Sequence, residues 1–207
     1  MLVALVTGAS LAEEKPLHDL FNVADATELV FVDLESAVDG SFEYSQRGMP
    51  IKIEGDLRRV LQQLDKKPVG DPGAPFIGYL GQVAVRNKQG KITCILGVIN
   101  WDATFSVSDA IENGGKIVEG KRDICVEGSS TEFARWMYEY LKKSYPKEIE
   151  TMTKRYEKGG HTLSELLFGK EDKTKSQQGG TGQPATRPES KLLGSDKPQP
   201  EAEGRSR

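Results

Sequence analysis

Between about residues 29 and 130 apolar positions recur mostly at every second residue, and beyond that point at every third and fourth. The first period marks half-buried strands and the second marks amphipathic helices. Residues 29–34 (Leu-Val-Phe-Val-Asp-Leu) predict a strand that is apolar on both faces at its start. Phe42 and Tyr44, then Ile51 and Ile53, alternate with polar residues on either side of Arg47, Gly48, Met49 and Pro50, which predicts a hairpin. Leu57, Val60, Leu61 and Leu64 follow at i, i+3, i+4 and i+7, a helix stripe behind Asp56 as its N-cap. The Pro- and Gly-rich residues 68–75 predict a loop.

Val83 and Val85 predict the next strand, and residues 87–90 (Asn-Lys-Gln-Gly) its turn. Residues 92–99 have apolar side chains on both faces, the mark of a strand covered on both sides. A second hairpin is expected across Gly120 and Lys121, joining residues 116–118 to residues 124–126. Ser129 to Glu132 then reads as a capping box ahead of the stripe Phe133, Trp136, Met137, Tyr140 and Leu141. Pro146 opens a helix carrying Ile149, Met152 and Tyr156, which ends at Gly159 and Gly160; Thr162 with Glu165 caps a short last helix. Antiparallel strands with helices grouped between and after them predict an α+β fold, an antiparallel sheet of about five to seven strands with helices packed mainly on one face.

The two ends differ from this body. Residues 1–12 combine an apolar run with Ser10 and Ala12, the small residues wanted at −3 and −1 of a cleavage site, and Glu13, Glu14 and Lys15 follow at once. That pattern predicts a signal peptide cleaved after Ala12, although only the amino terminus supplies its positive charge. The alternative is a buried first strand, with the protein cytoplasmic. Leu2 to Ser10 also resembles the opening strand and turn of the short-chain dehydrogenase family, and Tyr138 with Lys142 matches that family's Tyr-x-x-x-Lys. The resemblance implies a dinucleotide cradled by glycines at a helix N-terminus. The two further glycines of the family's turn fall on Ala12 and Glu14, so the motif is not completed and no cofactor is assigned. From Lys170 onward Leu192 and Leu193 are the only large aliphatic residues and no aromatic occurs, which predicts a disordered, low-complexity tail at residues 170–207. Residues 13–169 are then a single domain.

Composition narrows the function classes. The chain has 207 residues, 37% of them hydrophobic, and a net charge of −3. It has no basic footprint for nucleic acid and no apolar run long enough to span a bilayer. There are two histidines, His18 and His161, and neither stands in a metal-ligand spacing, so no metal site and no catalytic residue is assigned. Asn100, Trp101 and Asp102, after the most apolar strand, form a candidate ligand-binding cluster, because an aromatic between polar residues at a strand end can line a site. Cys94 and Cys125 can form a disulfide if their strands are neighbours in an oxidising compartment; the alternative is two free buried thiols. Period two limits this, since Cys125 points opposite to Ile124 and Val126.

The expectation is a periplasmic or secreted, non-catalytic binding module with a protein or small-molecule partner. The alternative is an exported hydrolase with a carboxylate-based site near Asn100 and Asp102.

Overall fold

The computed structural model describes residues 14–38, 41–72, 78–100, 102–120 and 124–169. In chain order the elements are β1 (Lys15–Pro16), a 3-10 turn (Leu17–Asp19), β2 (Ala26–Val38), β3 (Ser41–Lys52), α1 (Gly55–Leu64), β4 (Pro68–Val69) and β5 (Tyr79–Asn87). There follow β6 (Ile92–Ile99), β7 (Thr104–Asn113), β8 (Lys116–Glu119), β9 (Cys125–Ser129), α2 (Thr131–Ser144), α3 (Pro146–Glu157) and α4 (Leu163–Phe168). The signal peptide and tail expected at residues 1–12 and 170–207 lie outside the described residues. Among the described residues no helix is long and apolar enough to cross a membrane.

The fold is mixed α and β with antiparallel strands, but the expected open sheet is corrected. The strands run β6-β5-β2-β3-β8-β7-β9, and a further β6–β7 pairing closes six of them into a barrel. Strand β7 makes the closure possible. Its residues 105–109 pair with β6 along one edge, while on the other edge residues 104–108 pair with β9 and residues 110–113 with β8. Closure gives the sheet an inside and an outside, and period two sorts the side chains between them. Val30, Val32, Tyr44, Ala84, Ile92, Ile95, Ala110 and Ile117 form one buried cluster, the lumen. Leu29, Phe31, Val83, Val85, Leu96, Val98, Phe105 and Val107 point outward and pack with Leu61, Leu64, Phe133, Met137 and Leu141 of the helices. The helices therefore lie along the outer wall of a barrel instead of covering one face of an open sheet. Strand β6 is buried on both faces, as its apolar side chains on both faces predict.

Three local expectations also change. No hairpin forms at residues 47–50; β3 runs straight through them. Leu29 pairs with Ile51 and Phe31 with Arg47, so Gly48, Met49 and Pro50 bulge opposite Val30 alone. Gly48 has φ +71° and Pro50 has no N–H, chemistry that serves a bulge as well as a turn. Likewise β8 and β9 do not pair with each other, because both line up on β7. The switch falls at Asp109, whose N–H reaches the Ile124 carbonyl at 3.2 Å and whose carbonyl accepts from Gly120 at 2.9 Å. Finally, Pro68–Val69 is a strand, not loop, pairing with β1, and Gly70 bridges to Glu127 of β9.

The helix starts keep to local chemistry with small shifts. Helix α1 begins at Gly55 with Asp56 in its first turn, not as its cap. The Ser130 hydroxyl, one residue beyond the expected Ser129, caps α2 by accepting from Phe133 N–H at 3.3 Å. Pro146 opens α3, and the Thr162–Glu165 capping box opens α4.

Candidate functional site

A six-stranded barrel is too narrow for an empty ligand cavity; eight strands already give an interior just filled by side chains. The lumen here is filled by the cluster above, so sites must lie where the wall opens. The opening is between β2 and β5. Their pairing ends at Phe31 opposite Val83. Beyond it β2 continues to Val38 with β3 as its partner, and Tyr79, Gly81 and Gln82 of β5 pair with β6.

Between the parted strands lies a cleft of about 270 Å³, lined by Phe31, Val32, Asp33, Leu34, Arg47, Tyr79, Gln82, Leu141, Glu148 and Met152 among others. That volume falls just under the range of small-molecule pockets, roughly 300–1,000 Å³, so it suits a few side chains better than a large ligand. Its walls are fixed by close packing. A Cβ on Gly81 would come within 3.0 Å of Leu141 and 3.2 Å of the Met137 sulfur, so the missing side chain is what lets α2 press against β5. Arg47 braces the outer side. Its guanidinium lies 3.7 Å from the Tyr145 ring centroid, 3.5 Å from Asp33, and hydrogen-bonded to Glu148. Cation–π stacking on Tyr145 and the Glu148 carboxylate hold α3 to the barrel, while Asp33 of β2 fixes the guanidinium from the barrel side.

On the lumen side the cleft meets polar groups. The Tyr79 ring lies over Gly97, where a Cβ would collide with it, and the Ser106 hydroxyl donates to the Tyr79 hydroxyl at 3.1 Å. Ser106 is register partner to Glu127 and Ser108 to Cys125, which places both β9 residues on the lumen face. Burial pushes the Tyr79 phenol up to about 12; the Ser106 hydrogen bond opposes this, and nearby Cys125, Tyr44 and Glu127 add to it. Burial also raises Tyr44, with Glu119 adding to it and a hydrogen bond from Gln82 opposing.

The Tyr79 shift has a stability consequence. A phenol whose folded value of about 12 exceeds the ordinary value near 10 keeps its proton in the fold after the unfolded chain has released it. Its contribution is complete below about pH 10 and is lost as pH rises through about 12. Two units correspond to at most about 2.7 kcal/mol, and partial exposure of the ring reduces this to roughly 1–2 kcal/mol. Tyr79→Phe should therefore flatten the fall in stability between about pH 10 and 12, and remove one late-ionising phenol from the ultraviolet titration. A tyrosinate step lost near pH 10 instead would contradict the assignment.

The residues singled out from sequence fall elsewhere or at the rim. Asn100 lies one residue past the Ile99–Tyr79 pair; its N–H reaches Gly78 O at 3.4 Å and its side-chain amide donates to the Tyr156 hydroxyl. Asp102, at φ 55°, donates its N–H to Leu166 O at 2.8 Å. These residues tie the β6–β7 connection to α3 and α4, and Trp101 lies outside the described residues. Cys94 is buried on the outer wall and Cys125 is exposed, with β7 between their strands. His18 bonds to the Asp65 carbonyl and to Asp19, whereas His161 donates its backbone N–H to Tyr156. No group of three or more His, Cys, Asp or Glu side chains suited to a metal ion occurs among the described residues.

Sequence reasoning passed over Leu34, Arg47, Tyr79 and Gln82. The alternation of residues 29–34 includes Leu34 without showing that this residue outruns its neighbour strand. Comparison with protein-family models, curated proteins and solved structures finds no match to the chain. What the fold and site define is a closed antiparallel barrel, helices on its outer wall, with a parted seam.

Proposed function

We propose that the protein is an exported, non-catalytic binding module that takes its ligand at the β2–β5 seam. The observation that carries this reading is the seam itself: two strands of one barrel part after Phe31 and Val83 and leave a walled cleft between them. The lining mixes apolar side chains (Val32, Leu34, Leu80, Met152) with a few fixed polar groups (Arg47, Gln82, Glu148), the composition of a recognition site. The polar groups are held by structural partners: Arg47 by Glu148, Asp33 and Tyr145, and Tyr79 by Ser106. A catalytic centre instead needs groups poised for proton transfer or attack. Export rests on Ser10 and Ala12 ahead of a charged segment, and cleavage there leaves β1, which starts at Lys15, intact.

The test is an amide-shift titration of the isotopically labelled full chain with small amphipathic fragments and short peptides. Shifts gathered on residues 32–34 and 79–82, weakened at least tenfold in Arg47→Ala, are the expected result. Probes that leave the seam unperturbed, or that are chemically turned over, would overturn it.

A further inference from the structure

Resting on the seam as the binding site, we infer that its ligand is an extended peptide that adds to the free edge of β2 and carries basic side chains. Among the described residues, no strand pairs with the β5-facing edge of β2 beyond Phe31, and residues 32–34 of that edge line the cleft. An unpaired strand edge is a template for another strand, and main-chain hydrogen bonds then supply affinity while alternate side chains supply specificity. The side chains along this edge state the specificity. Asp33, Leu34 and Glu35 are all exposed, Leu34 to 52%; Leu34 is register partner to Tyr44, and Glu35 sits in a bulge between Leu34 and Ser36.

Opposite charges directly across a strand pair stabilise it, and like charges destabilise it. Among the described residues Arg47 is the only cation lining the cleft, and Asp33 and Glu148 already engage it. Lys116 of β8 lies near Glu35. Three carboxylates, Asp33, Glu35 and Glu148, thus stand against two cations, and the edge is acidic toward an incoming strand. A second copy pairing about Leu34 would bring Asp33 and Glu35 of each chain against the same two acids of the other, which argues for a different, basic partner. Its residues facing Asp33 and Glu35 are lysine or arginine, and the residue facing Leu34 is apolar.

The experiment uses the full chain and a blocked octapeptide alternating Lys with Val or Leu, beside the same peptide with Glu for Lys. The basic peptide should bind, slow amide exchange at residues 32–36, and weaken with salt. Glu35→Lys, a change at an exposed side chain, should lower its affinity about tenfold or more, and Asp33→Lys likewise. Equal binding of both peptides, or binding that leaves the edge amides unprotected, would overturn the inference. So would edge amides protected before any peptide is added, or a concentration-dependent dimer through β2. If fragments perturb the seam and neither peptide binds, the inference falls and the binding-module reading stands; if nothing perturbs the seam, both fall.

Discussion

Phe133→Ala is expected to destabilise the fold by about 3–5 kcal/mol, the usual range for deleting a buried aromatic ring. The ring is fully buried, meets Phe105 of the barrel wall edge-on at 6.4 Å and stacks on Trp136 at 5.8 Å. Its backbone cannot drift to fill the space, because the Phe133 N–H is the group that the Ser130 cap holds. Against a total stability of about 5–15 kcal/mol, the loss is a large share. Trp136, although on the same sequence stripe, is only half-buried and faces a groove between α1 and α2 lined also by Asp56, Arg59 and Glu132. Trp136→Ala should accordingly cost roughly 1–2 kcal/mol, the transfer term for part of a ring. Chemical denaturation of the two variants checks the order. Equal costs, or a Phe133 cost below about 1 kcal/mol, would mean that α2 does not seal the barrel wall.

The contrast between these two rings shows what the chain makes legible. Period 3.6 placed the helices, and the stripe Phe133, Trp136, Met137, Tyr140, Leu141 named the right face. It did not separate the centre of that face from its rim, because the rim is set by where α1 lies. Residues 92–99 announced burial on both sides, yet the same pattern fits a strand under two helix layers or a barrel strand with a filled lumen. Closure depends on β6 meeting β7, with Leu96 opposite Val107. Nothing local to either strand encodes that choice. The alternation of Phe105 and Val107 was there to be read, but Ser106, Ser108 and Ala110 between them are small, polar or neutral, and resemble a loop. Their size is what the lumen requires. Gly48 and Pro50 misled for a related reason, since a bulge and a turn ask for the same backbone freedom.

The seam was the least legible feature. A strand that outruns its neighbour has the same alternation as one paired throughout, so Val32, Asp33 and Leu34 carry no mark of standing at an open edge. The cysteines were legible in part: opposite parity separates an outward Cys94 from a lumen-facing Cys125. The strand between them came only from the fold.

Gly128→Ala is expected to cost about 3 kcal/mol, at the upper end of overpacking penalties, in a place where its sign is informative. Gly128 does not have positive φ, so the alanine backbone is allowed, and removing unfolded-state entropy alone would stabilise by roughly 0.4–1 kcal/mol. Space decides otherwise. A Cβ there would stand 2.8 Å from the Phe105 ring and 2.8 Å from the carbonyl oxygen of Pro68. The ring is Gly128's direct register partner and is itself fully buried beside Phe133, and the carbonyl belongs to β4, which Gly70 fastens to Glu127 by hydrogen bonds of 3.0 and 2.9 Å. Neither neighbour has a free direction in which to yield. The melting temperature should fall by roughly 6–12 °C for a domain of this size. In a Phe105→Leu background the same change should cost less, since the smaller side chain withdraws one of the two obstacles; additive costs would assign the clash to Pro68 alone. A Gly128→Ala protein as stable as its parent would show that the Phe105 ring moves aside, and that β9 is not clamped between the barrel wall and β4.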